Sequence, residues 1–69
     1  MKIKGKDGYV TLLIEYNNER FGPLDIEADS VECYLSGSYL SIMWERDGGM
    51  KRGVKLVEGV KEVKVKQSQ

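Results

Sequence analysis

The side chains able to do chemistry in this chain are few, and their spacing assigns most of them to structure. Cys33 is the single cysteine and there is no histidine. A thiolate nucleophile would have no imidazole base, and a zinc site no Cys/His cluster. Cys33 also alternates with Val31 and Leu35, the place of a small buried hydrophobe. Asp25, Glu27 and Asp29 recur at every second residue and would share one strand face, whereas calcium loops wrap their ion. That run also lacks the glycine and the later glutamate of an EF-hand. Gly48, Gly49 and Gly53 punctuate a hairpin, not the strand-to-helix junction that cradles phosphate. No catalytic, metal-binding or cofactor-binding residue is assigned, and the chain reads as a non-enzyme.

Two sets of side chains remain. Arg46, Lys51, Arg52 and Lys55, with Lys64 and Lys66 behind them, are candidate contacts for an anion or a nucleic acid. Tyr34, Tyr39 or Trp44 would then stack on bases. The whole chain, however, has zero net charge, and the usual footprint of a nucleic-acid-binding domain is basic. The second set is Tyr9, Leu13, Tyr34, Tyr39, Met43 and Val57. These fall on the alternation opposite to the expected core, and Tyr and Met are favoured at protein interfaces.

The elements that must carry these residues read as strands. Leu40, Ile42 and Trp44 alternate with Tyr39, Ser41 and Met43 between the turn signals Ser36-Gly37-Ser38 and Asp47-Gly48-Gly49. A two-residue Gly37-Ser38 turn sets Leu35 against Leu40, Cys33 against Ile42 and Val31 against Trp44. A three-residue Asp47-Gly48-Gly49 loop sets Arg46 against Met50, Ile42 against Val54 and Leu40 against Leu56. Both loops keep apolar residues on one face, so residues 31–57 predict a three-strand antiparallel meander with Trp44 inside.

Upstream, Asp7-Gly8 predicts a hairpin with Lys6 facing Tyr9, Lys4 facing Thr11 and Ile3 facing Leu12. Val10, Leu12, Ile14 and Tyr16 share one face of the strand that follows. Gly22-Pro23 belongs at an edge, a bulge or a loop. Residues 24–30 fit a short strand, or a helix beginning at the acidic residues; strand is preferred because it suits the hairpin register downstream. Glu58-Gly59 marks a further turn, Val63 and Val65 a short edge strand flanked by lysines, and Gln67-Ser68-Gln69 a polar tail.

At 69 residues the chain is one domain, residues 1–69, which would bury only about 60% of its unfolded surface. Association with another chain would enlarge so small a core. The composition, 41% hydrophobic and 32% charged, is that of a soluble globular protein. No apolar run reaches the roughly 18 residues of a membrane span, and no apolar stretch follows the lysine-rich start. With one cysteine suiting a reducing compartment, the expected place is the cytoplasm. Residues 21–45 carry five carboxylates and no Lys or Arg, while residues 46–69 carry seven Lys or Arg. Folding brings these together as ion pairs or as two patches of opposite sign.

The expected fold is all-β: a five- to six-stranded antiparallel barrel or sandwich, SH3-like in preference to an OB-fold. The expected function is a small protein-interaction module that binds a protein partner or itself as a homo-oligomer. Size and analogy suggest an accessory or inhibitor protein of bacterial or phage type. The alternatives are a nucleic-acid-binding barrel, or a small-ligand binder whose pocket forms between subunits around Tyr side chains and Arg46 or Arg52.

Overall fold

Alternating apolar residues can bury one face only if another sheet covers it, and two sheets do so here. The computed structural model describes residues 1–66; the predicted polar tail lies outside these. Seven strands follow in order: β1 (Lys2–Lys4), β2 (Tyr9–Tyr16), β3 (Phe21–Glu27), β4 (Ser30–Ser36), β5 (Tyr39–Arg46), β6 (Lys51–Val57) and β7 (Val60–Val65). The expected five or six strands become seven because β3 runs unbroken through Gly22-Pro23 and the three-residue β1 pairs with β4. They form two antiparallel sheets, a four-stranded one in the order β1-β4-β5-β6 and a three-stranded one in the order β3-β2-β7. Among the described residues the two sheets do not close into a barrel.

The core is the set of inward alternates. Val10, Leu12 and Ile14 of β2 face Val31 and Cys33 of β4 and Leu40 and Ile42 of β5, with Ile3, Ile26, Ala28 and Val60 completing the layer. No polar or charged residue is buried among those described. The inward phase passes from even positions in β3 to odd positions in β4 at Ala28-Asp29, where the chain leaves one sheet for the other. This is the break that the alternation predicts, and residues 24–27 are strand, not helix.

The β4–β5 hairpin has the predicted register, with Val31 opposite Trp44, Cys33 opposite Ile42 and Leu35 opposite Leu40. Gly37 takes the positive φ (59°) that its turn requires. Pro23 stands in the middle of β3, which is an edge strand, where a missing backbone donor is tolerated.

Two pairings differ from expectation. The Asp7-Gly8 turn forms, with both residues at positive φ, but its ladder stops at the single Lys6–Tyr9 bridge. Lys4 does not face Thr11, nor Ile3 Leu12. Both flanks of β2 are already taken, by β3 and β7, so β1 crosses to the other sheet and sets Ile3 beside Val31. Gly5 makes the crossing, its N–H donating to the Asp29 carbonyl at 2.7 Å. A Cβ there would run into the carbonyl oxygen of Ala28.

The second difference is in the β5–β6 hairpin. Its loop has four residues, not three: Arg46 pairs with Lys51, and Asp47, Gly48 and Gly49 form a 3-10 turn with φ of 53°, 67° and 90°. Every residue of β6 is therefore one place from its expected partner. Ile42 meets Lys55, Met43 meets Val54, Trp44 meets Gly53 and Leu40 meets Val57. A one-residue slip exchanges the two faces of a strand. Val54 and Leu56 point outward, while Val57 turns inward and packs against the core.

Candidate interaction surface

The indole of Trp44 sets the geometry at this end of the molecule. It is half-buried, not enclosed as expected, and it lies flat across Gly53 of the neighbouring strand. A Cβ on Gly53 would overlap the indole ring. The Arg46 guanidinium lies 5.4 Å from the ring centroid, a cation–π distance, and its Nη1 reaches Glu27 Oε1 at 3.0 Å across the gap between the sheets. Its Nε is shut off from solvent with no hydrogen-bond acceptor. A three-stranded sheet cannot cover all four strands opposite it, so β6 overhangs, and Trp44 and Arg46 stand at the open mouth with Leu24, Ile26 and Lys55.

The overhang explains the register. With no sheet opposite the inner side of β6, burying Val54 and Leu56 there would gain little. A small residue opposite Trp44 lets the indole spread over the core margin instead. The same register sets Arg52 opposite Glu45, at 3.9 Å, with its Nε donating to the Gly49 carbonyl at 3.1 Å.

The candidate interaction residues are not brought to one surface. Tyr34, Tyr39 and Met43 share the outer face of the four-stranded sheet. Tyr9 and the half-buried Leu13 lie on the outer face of the other sheet, opposite Glu27 and Pro23. Val57 leaves the set, because it faces Leu40 on the inner side. In exchange the register adds Val54 beside Met43 and Leu56 beside Ser41, whose other neighbour is Tyr34. These five apolar side chains are between 45% (Met43) and 70% (Leu56) exposed. The one-residue alternation within β6 hides Val54 and Leu56 from a reading based on a three-residue loop. Gly53, the residue that a flat indole needs beside it, is the signal that would have found them.

Along the strands the outer face passes from this apolar end to a charged one. Lys2 lies opposite Glu32 and Glu45 opposite Arg52. Together with Met43 and Val54 they line a shallow depression of about 490 Å³. The Ser30 hydroxyl donates to Glu45 Oε1 at 3.2 Å.

The candidate anion contacts are divided. Arg52 points outward toward Glu45, while Arg46 and Lys55 stand at the inner mouth beside Glu27 and Asp25. Lys51 lies 3.5 Å from Asp47. The acidic and basic segments thus meet as ion pairs. The carboxylates of residues 25–29 are likewise occupied: Thr11 donates to Asp25 at 2.8 Å, Arg46 pairs with Glu27, and the Gly48 N–H donates to Asp29 at 3.4 Å. Among the described residues no group of three His, Cys, Asp or Glu is placed to hold a metal ion. Burial holds the Cys33 thiol above its usual pKa, and the Met1 ammonium, which donates to the Cys33 carbonyl at 2.9 Å, opposes this. No helix among the described residues is long and apolar enough to cross a membrane.

Comparison with protein-family models, with curated proteins and with solved structures finds no match to this chain.

Proposed function

We propose that this protein is a non-enzymatic interaction module that associates with a second copy of itself through the outer face of its four-stranded sheet. One observation carries the reading: Tyr34, Tyr39, Met43, Val54 and Leu56 are exposed apolar side chains on that face, Met43 directly opposite Val54 and Tyr34 and Leu56 on either side of Ser41, while the other face of the same sheet supplies the core. Isolated exposed apolar residues need no explanation, but neighbours across three strands make a patch of the kind that marks a protein contact. Covering it would gain about 25 cal/mol for each Å² of apolar surface removed from water. The tyrosine hydroxyls stay at the rim, where they keep polar partners.

The meander followed by a last strand that returns beside β2 supports an SH3-like strand order for a half-open barrel. A reducing cytoplasm suits the unpaired Cys33. Sedimentation of the wild type against Met43→Lys tests the reading. A lysine at the centre of the patch is expected to lower the particle mass without altering the melting temperature by more than a few degrees, because Met43 lies outside the core. A mass unchanged by Met43→Lys would reject it.

A further inference from the structure

A sheet exposes two backbone edges, and among the described residues there are four: β1 and β6 of one sheet, β3 and β7 of the other. Three are guarded in the ways that prevent strand-to-strand addition. β1 has only three residues, two of them lysines; β3 holds Pro23 at its middle; β7 carries Lys61 and Lys64 and faces a bulge at Glu15/Tyr16. β6 is different. It carries Lys51, Arg52 and Lys55, yet it has seven residues, no proline and an unbroken ladder with β5, and it is exposed on both faces along most of its length.

The free backbone groups of β6 follow from the hairpins. A two-residue turn closes on a hydrogen-bonded pair, here Ser36–Tyr39. Alternation then directs the odd residues of β5 toward β4 and the even ones toward β6. The Cys33 N–H agrees, since it donates to the Met1 carbonyl on the far side of β4. Arg46–Lys51, Trp44–Gly53, Ile42–Lys55 and Leu40–Val57 are therefore the bonded pairs of β5 and β6. The N–H and C=O groups of Arg52, Val54 and Leu56 are left at the edge.

We propose that two copies of this chain join edge to edge through β6, antiparallel, about a two-fold axis at Val54. This goes beyond the face contact proposed above, because it uses the backbone edge of β6 and not the side chains of the sheet's outer face. The edge is self-complementary in that register. Val54 meets its own copy, Arg52 meets Leu56 and lays its methylenes along it, and Lys55 meets Gly53, which offers no side chain to repel it. Slipping by two residues about the axis would instead set Lys55 against Lys55, and like charges directly opposite one another destabilise a sheet. The chosen register forms backbone hydrogen bonds at Arg52, Val54 and Leu56 of each copy. It also makes one continuous sheet, four strands from one copy followed by four from the other, and doubles the apolar face on its outer side. An isologous contact of this kind is closed, leaving no further β6 edge to propagate a fibre.

Two measurements test it. In the first, Val54→Cys and Leu56→Cys are each placed in the Met43→Lys chain, which lacks the face contact, then oxidised and run on a non-reducing gel. Val54→Cys is expected to give a covalent dimer and Leu56→Cys, equally exposed but far from the axis, to stay monomeric; the buried Cys33 serves as the internal blank. Equal cross-linking of both, or none at Val54→Cys, overturns the proposal.

The second is sedimentation of Val54→Pro, Met43→Lys and their combination. Proline at Val54 removes an edge donor but no bond to β5, so the domain keeps its fold; because Val54 also belongs to the outer apolar set, the step from Met43→Lys to the double variant is the one that reports the edge alone. With both contacts present, the wild type exceeds a dimer, each single variant sediments as a dimer, and the double variant is a monomer. If Val54→Pro keeps the wild-type mass, the edge contact fails while the face contact stands. If Met43→Lys keeps it and Val54→Pro halves it, the face contact fails and the edge contact stands. A wild type that stays monomeric at hundreds of micromolar overturns both.

Discussion

Gly53 and Trp44 act as one unit. The indole occupies the space above Gly53 where any side chain would stand, so a methyl group there must push the ring off its seat. Gly53→Ala is expected to cost about 1–3 kcal/mol, in the range of other overpacking substitutions. Trp44→Ala should cost about 2–3 kcal/mol, less than the 3–5 of a fully buried aromatic, because Trp44 is half-exposed at the mouth. The pair is diagnostic by a double-mutant cycle in chemical denaturation: in a Trp44→Ala background Gly53→Ala should become nearly neutral. Equal costs in both backgrounds would show that the indole does not rest on Gly53. Cys33 makes a separate prediction. Its thiol is held above the ordinary value chiefly by burial, so the folded state keeps the proton longer than the unfolded chain. Stability is then full below the unfolded thiol's value of about 8.5 and falls as pH climbs from there toward the raised folded value. Melting temperatures of wild type and Cys33→Ala measured at pH 7 and pH 10 should converge on the alkaline side, and alkylation of the native thiol should be slow at pH 8.

At the scale of elements, what could be read from the sequence depended on whether a strand's neighbours were local. The β4–β5 hairpin was legible because its turn has two residues and both strands are buried on one face, so Val31, Cys33 and Leu35 admit one partner each. The strand at residues 24–27 was legible for a related reason: Leu24, Ile26 and Ala28 fit an inward face whose phase must change before Val31. β1 was not legible, because the occupancy of β2 by β7 is invisible from the first hairpin. β6 was misread on account of its alternation, since Val54 and Leu56 look like inward residues until the overhang of the four-stranded sheet removes anything for them to pack on. The three-residue loop thus changes three residues of the candidate surface: it leaves out Val54 and Leu56 and keeps Val57. The face carrying Tyr34, Tyr39 and Met43 was legible because it depends on β4 and β5 alone.

The molecule as a whole is held by its apolar layer and only trimmed by charge. Its ion pairs, Arg46–Glu27, Lys51–Asp47, Arg52–Glu45 and Lys61–Glu15, are largely exposed, where such contacts contribute about 0–1 kcal/mol each. The layer, in turn, closes late along the chain. β2, which supplies Leu12 and Ile14, has as one of its two neighbours the last strand, with Ile14 opposite Val63 and Tyr16 opposite Val60. The consequence is kinetic. The β4–β5 hairpin forms from residues close in sequence, whereas docking β7 on β2 must join positions as far apart as Leu12 and Val65, a topology that folds in milliseconds to seconds, not microseconds. Ile42→Val, in the local hairpin, should therefore slow refolding, while Val63→Ala, in the late strand, should leave refolding unchanged and speed unfolding. Stopped-flow chevrons of the two variants decide the order, and a folding limb slowed by Val63→Ala would mean that the ends of the chain meet first. Until β7 arrives, β2 presents an open flank beside its most apolar residues, and that interval is when this chain is most exposed to aggregation.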